Sequence, residues 1–147
     1  MSIVNQEIID DMNLARKILS DEDLSIVIIK NKKVLKKKKG LGIKPILEII
    51  NEMGDSLEGS IIGDRILGRA SSLLCRYAKV GGVYSPRGTK TAIALLIMGG
   101  IPCQVDNLIP KIMNHKGDDS CPFEKLLKTI ISPDEAYKIL NDKIMNI

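Results

Sequence analysis

Residues 82–107, GVYSPRGTKTAIALLIMGGIPCQVDN, set two short strand-like runs on either side of one helical run. A strand–helix–strand unit from Val83 to Val105 joins parallel strands through a right-handed crossover. Parallel strands need cover on both faces, so this one unit commits the chain to an α/β architecture.

The remainder fits around it. Residues 3–19 place Ile8, Met12, Ala15, Ile18 and Leu19 on one helical stripe. LSIVIIK is continuously apolar and β-branched, as expected of a strand buried on both sides. Asn31-Lys32 suits a tight turn, with KVLKK as the return strand near a sheet edge. Pro45 and Gly54 bracket a helix, and further helices begin near Pro122 and Pro133. The stretch from Ile61–Asp64 to Gly81 reads as one long helix with Ile66, Ala70, Leu73, Leu74 and Tyr77 on its apolar stripe. LIPKIMN, residues 108–114, reads as a helical turn. The expected fold is one domain over residues 1–147: a three-layer α-β-α sandwich with a mixed sheet of about four or five strands.

Composition narrows the function classes. Aromatics are 3% with no Trp, too few for a base-stacking surface on single-stranded nucleic acid. The acidic start MSIVNQEIIDD is not a secretory leader, and TAIALLIMGGIP is too short and too broken to span a membrane. Three cysteines without disulfide-like spacing point to a reduced, cytoplasmic protein. The net charge of +4 comes from seven lysines in KNKKVLKKKK, residues 30–39. Lysines on an edge strand block sheet-to-sheet pairing, and no aromatic or motif adds an RNA-reading function.

Two segments share a helix-start grammar. SPDE, residues 132–135, is a capping box with Ser132 as N-cap, Pro133 at N1 and Glu135 at N3. CPFE, residues 121–124, repeats it with a thiol in place of the hydroxyl. A thiol caps weakly, yet a helix N-terminus favours the thiolate, so Cys121 is a candidate nucleophile or contact group. A buried, inert cysteine is the alternative. His115, alone of its kind, is the candidate to move protons beside it. With one His, three Cys and no CxxC, the chain lacks the spacing of a zinc site, and no motif calls for a cofactor.

GDRILGRA, MNHKGDDSCPFEK and the hairpin-first order together resemble an uncharacterised prokaryotic family, domain of unknown function 1893. The element from Asp119 to Glu124 is the most specific part. The resemblance implies a cytidine-deaminase-like fold. Deaminases of that fold carry His-x-Glu at one helix start and Pro-Cys-x-x-Cys at the next, around a zinc-activated water. Here those places hold GDRILGRA and SPRGTKT, so the zinc reaction is disfavoured.

What such a scaffold retains is a cleft between helix starts. Arg87 and Lys90 in SPRGTKT, and Arg65 and Arg69 on the preceding segment, are candidate contacts for an anionic ligand, and Asp64 beside them would line the same small-molecule site or complement the helix dipole. Arg65 and Arg69, at i and i+4, would share a helix face. Asn114, Asp119 and Glu124 complete the set. Two functions are carried forward: binding of a nucleotide- or nucleoside-like small molecule, and a non-enzymatic module contacting RNA or protein through the lysine-rich hairpin. Helix stripes do not separate a core face from a homo-oligomer face.

Overall fold

The computed structural model describes residues 5–145. Helix α1 (Gln6–Asp21) leads into a hairpin of β1 (Ile26–Lys30) and β2 (Lys33–Lys38). Its turn uses positive φ at both Asn31 and Lys32, the geometry that matches the twist of paired strands. The buried Asp11 of α1 accepts the Lys32 amide at 3.1 Å and ties the turn to the helix. Helix α2 (Lys44–Met53) and a 3₁₀ turn, Gly54–Leu57, follow.

Then come β3 (Ile61–Asp64), β4 (Ile66–Leu67), α3 (Arg69–Tyr77), β5 (Gly82–Gly88), α4 (Lys90–Met98) and β6 (Cys103–Leu108). The short α5 (Pro122–Leu126) and the longer α6 (Pro133–Ile144) end the chain. Ser132 caps α6 as expected, accepting the Glu135 amide at 3.3 Å.

The sheet is mixed. β1 pairs antiparallel with β2 and β3, whereas β3, β4 and β6 all run parallel to β5. β3 and β4 meet β5 in one register, Ile61 opposite Gly82 and Ile66 opposite Arg87, so they are one strand line interrupted at Arg65. The β5–α4–β6 crossover is the unit expected from the sequence.

β1 explains the two-sided core. Val27 and Ile29 face α1 with Met12, Ala15, Ile18, Leu19 and Tyr84. Ile26 and Ile28 face the larger cluster under α2, α3, α4 and α6, with Leu47, Leu73, Leu74 and Leu96. Each such fully buried leucine contributes about 1.5–3 kcal/mol. α6 docks through Tyr137, whose ring stacks on Tyr77 at 4.1 Å and whose hydroxyl donates to Asn51.

Two expectations are corrected. Residues 61–67 are strands, and the helix starts only at Arg69. Ile62 faces the larger cluster and Ile61 the α1 side, a period of two that pairing on both edges rewards more than the local helical stripe. Residues 108–114 form no helical turn. The Ile109 amide donates to Gly88 O, and Met113 bridges Ser120, leaving this segment extended.

Candidate functional site

The carboxyl ends of β4 and β5 feed directly into α3 and α4, so two helix starts lie side by side there. Free amides and the positive end of the helix dipole make each start attractive to an anion. At α3 the anion comes from the chain itself. The two carboxylate oxygens of Glu124 accept the Arg69 and Ala70 amides, each at 2.8 Å. Gly68 leaves the room for this, since a Cβ there would lie 2.3 Å from Glu124 Oε1 and 2.2 Å from Ile112 Cδ1. Glu124 therefore does not reach back to its own helix as a capping box would. It caps a different one.

The arginines divide. Arg69 Nη1 donates to Ile130 O at 2.7 Å and holds the approach to α6. Arg65 sits between β3 and β4, not on a helix, so the expected shared face with Arg69 does not form. Its guanidinium donates to the carbonyls of Leu19, Glu22 and Leu24 at 2.6–2.9 Å, which terminates α1 on the far face of the sheet.

Asp64 closes β3 on the α3 side, hydrogen-bonded by the Ser71 hydroxyl and the Ile66 amide. Burial of the carboxyl outweighs both bonds and pushes its pKa up to about 7. The buried Cys75 thiol nearby is pushed up too, by burial and then by the Asp64 charge. Asp64 thus ends a strand rather than opening a helix as the sequence suggested. It is a strand-end carboxyl able to exchange a proton near neutral pH.

At the second helix start, Thr89 caps α4 by accepting the Ala92 amide at 3.1 Å. Arg87 and Lys90 flank it, both exposed. Ser85, fully buried, donates to Arg87 O at 2.7 Å and fixes the strand end.

The loop carrying the remaining candidates is organised by its own side chains. Asn114 Oδ1 accepts the Gly117 and Asp118 amides, and its Nδ2 donates to Asp118. Asp119 accepts the Ser120 amide and pairs with Lys125, which holds its carboxylate below the usual range. His115 is exposed at the tip. Cys121 is the half-buried N-cap of α5, and its side chain makes no capping bond. Cys121→Ser is accordingly expected to keep or raise stability, by roughly 0–1 kcal/mol in urea unfolding. A loss above about 1 kcal/mol would show that the thiol packs in a way a hydroxyl cannot.

Residues that the sequence did not single out form a second polar group on the α1 face. Tyr84 donates to Asp106 at 2.5 Å, Arg16 bonds the same carboxylate at 2.7 and 3.3 Å, and the Arg16 guanidinium lies 4.9 Å from the Tyr84 ring centre. The Arg16 bonds hold Asp106 below the usual carboxylate range. The one available sequence signal was an acid in the middle of an otherwise ordinary strand.

The lysine hairpin is not a free basic surface. Lys36 and Lys38 pair with Glu52, Lys37 with Glu22, and Lys39 with Asp23. These three acids come from α2 and from the turn before β1, and they engage four of the seven lysines of the ribbon.

The strand order, with an antiparallel hairpin beside parallel strands and helices on both faces, defines a cytidine-deaminase-like α/β protein. Residues 14–144 match TM1506, the domain of unknown function DUF1893, and the chain belongs to that family. A DUF1893 protein of known structure from Thermotoga maritima is similar at 27% identity and TM-score 0.84, over 97% of this chain and 93% of that one. RibD of Acinetobacter baumannii matches at 12% identity and TM-score 0.52, over 69% of this chain and 36% of that one, a likeness of fold. No curated protein matches by sequence.

The deaminase fold implies a zinc ion at the two helix starts. The residues here do not fit one. Gly68-Arg69-Ala70 and Thr89-Lys90 occupy those starts, and Glu124 already sits on the α3 amides. Among the described residues no three His, Cys, Asp or Glu side chains gather into a metal-binding group. None of the helices is long and apolar enough to cross a membrane, again among the described residues.

Proposed function

We propose that the protein binds a nucleotide- or nucleoside-like small molecule at the carboxyl ends of its parallel strands, with Asp64 as the recognising group. The observation that carries this reading is the Asp64 carboxyl, enclosed against Ser71 at a strand end and poised near pH 7. Ligands of open α/β sheets bind outside the carboxyl ends of the strands. A carboxyl that holds or releases a proton at neutral pH matches the paired donor and acceptor on a nucleobase edge. The deaminase-like fold supports the same ligand class. Exposed Arg87 and Lys90, beside the neighbouring helix start, supply positive charge for a phosphate. Cys121 and His115 belong to the adjoining loop and are contact groups in this reading.

The test is a thermal-shift panel of nucleosides and nucleotides at pH 7. At least one compound at ~100 times its Kd raises Tm by several degrees, and Asp64→Asn removes the shift. A panel without any shift in the wild type would end the proposal.

A further inference from the structure

A second feature lies at the opposite end of the sheet and does not depend on the Asp64 reading. α3 and α4 both finish there, in the same way. After α3 the Val80 amide returns to Cys75 O and Lys79 to Arg76 O, with Lys79 at φ 57°. After α4 the Ile101 amide returns to Leu96 O and Gly100 to Ile97 O, with Gly100 at φ 71°. These paired terminations occupy the carbonyls of Cys75, Arg76, Leu96 and Ile97. They also bring Arg76 against Gly99, where a Cβ would lie 2.7 Å from Arg76 Nε.

Between these helix ends and the start of α6 at Pro133 is a hollow of about 310 Å³. Arg76 and Lys79 line it, with no acid among its lining residues. Arg76 is half-buried, and its Nη1 is buried without a hydrogen-bond partner. A buried donor of a charged group left unsatisfied is costly and rare in native proteins. Neither helix C-terminus supplies it with a hydrogen bond. Pro133, at the start of the 12-residue α6, lines the same space.

We infer that this hollow is a binding site for the phosphate group of a small molecule, with the Arg76 guanidinium as the first contact and Lys79 as the second charge. An oxyanion satisfies Arg76 with charge-assisted bonds that water matches less well. The hollow is at the small end of ligand pockets, large enough for a phosphate with a short organic group. Its ligand is therefore inorganic phosphate or a small phosphate monoester.

The test titrates the full chain with inorganic phosphate and with glycerol phosphate, using sodium chloride at matched ionic strength as the control. Wild type binds one phosphate group per chain and gains Tm. Tighter binding of the ester assigns an esterified ligand. Lys79→Asn keeps the left-handed backbone and weakens binding roughly ten-fold, Arg76→Lys weakens it further, and Arg76→Met abolishes it. Without phosphate, Arg76→Met is as stable as wild type or more so, since an unsatisfied charge has gone.

Three results would overturn the proposal. In the first, phosphate and chloride give the same Tm. In the second, Arg76→Met binds phosphate as wild type does. In the third, Arg76→Met and Asp134→Asn or Glu135→Gln destabilise the phosphate-free protein non-additively. That last pattern would make Arg76 the internal partner of the first turn of α6.

Discussion

Replacing Glu124 with alanine lowers stability by about 2–4 kcal/mol in urea unfolding at pH 7. Each of its carboxylate oxygens accepts one amide at the start of α3, and charge-assisted bonds of this kind exceed neutral ones. The loss also loosens α5, which Glu124 ties to α3 while Phe123 and the following Leu127 pack against the core. Gly68→Ala attacks the same contact from the other side. Its Cβ would fall 2.3 Å from Glu124 Oε1, so the carboxylate must leave. The two substitutions therefore share one effect. The double variant is destabilised by at least about 1 kcal/mol less than the sum of the singles. Strict additivity would show that Gly68 and Glu124 do not form one lock.

Asp64→Asn has a comparable effect of opposite sign. The folded pKa of Asp64 is raised to about 7 from 3.8. Between those values the unfolded chain has lost the proton and the folded chain still holds it. Stability from this group is full below about pH 4, falls as pH rises toward 7, and is flat above. Asparagine keeps an acceptor for the Ser71 hydroxyl and the Ile66 amide but has no proton to lose. The variant is more stable than wild type by roughly 2–4 kcal/mol at pH 8 and nearly equal to it at pH 4. Parallel stability–pH curves for the two proteins would contradict this.

Much of the fold was legible because its signals are local. The β1 run is apolar without alternation, and the structure buries it on both sides. Asn31-Lys32 is a turn by its own chemistry, and Pro133 after Ser132 starts a helix unaided. Residues 61–67 were misread because their helical spacing is real but irrelevant once β1 and β5 offer edges to pair with. The site was legible in composition more than in geometry. Asp64, Arg69 and Glu124 do gather around the start of α3. Glu124 was expected to serve the helix that carries it, and spacing cannot reveal that its carboxylate serves a partner 54 residues earlier in the chain. Arg65 failed for the same reason, since its three carbonyl partners belong to the end of α1. Arg76 gave no signal at all, because an arginine in the last turn of a helix is an ordinary residue until its surroundings are known.

The stacked rings of Tyr77 and Tyr137 also make the molecule report on itself. With no tryptophan and three tyrosines, its near-ultraviolet spectrum has few sources. Two of them form one parallel pair across α3 and α6, and the third, Tyr84, lies under Arg16 on the other side of the sheet. Release of α6 changes the pair and leaves Tyr84 untouched, whereas release of α1 does the reverse. Single Tyr→Phe variants thus turn one optical signal into two, each reading the detachment of one outer layer from the sheet.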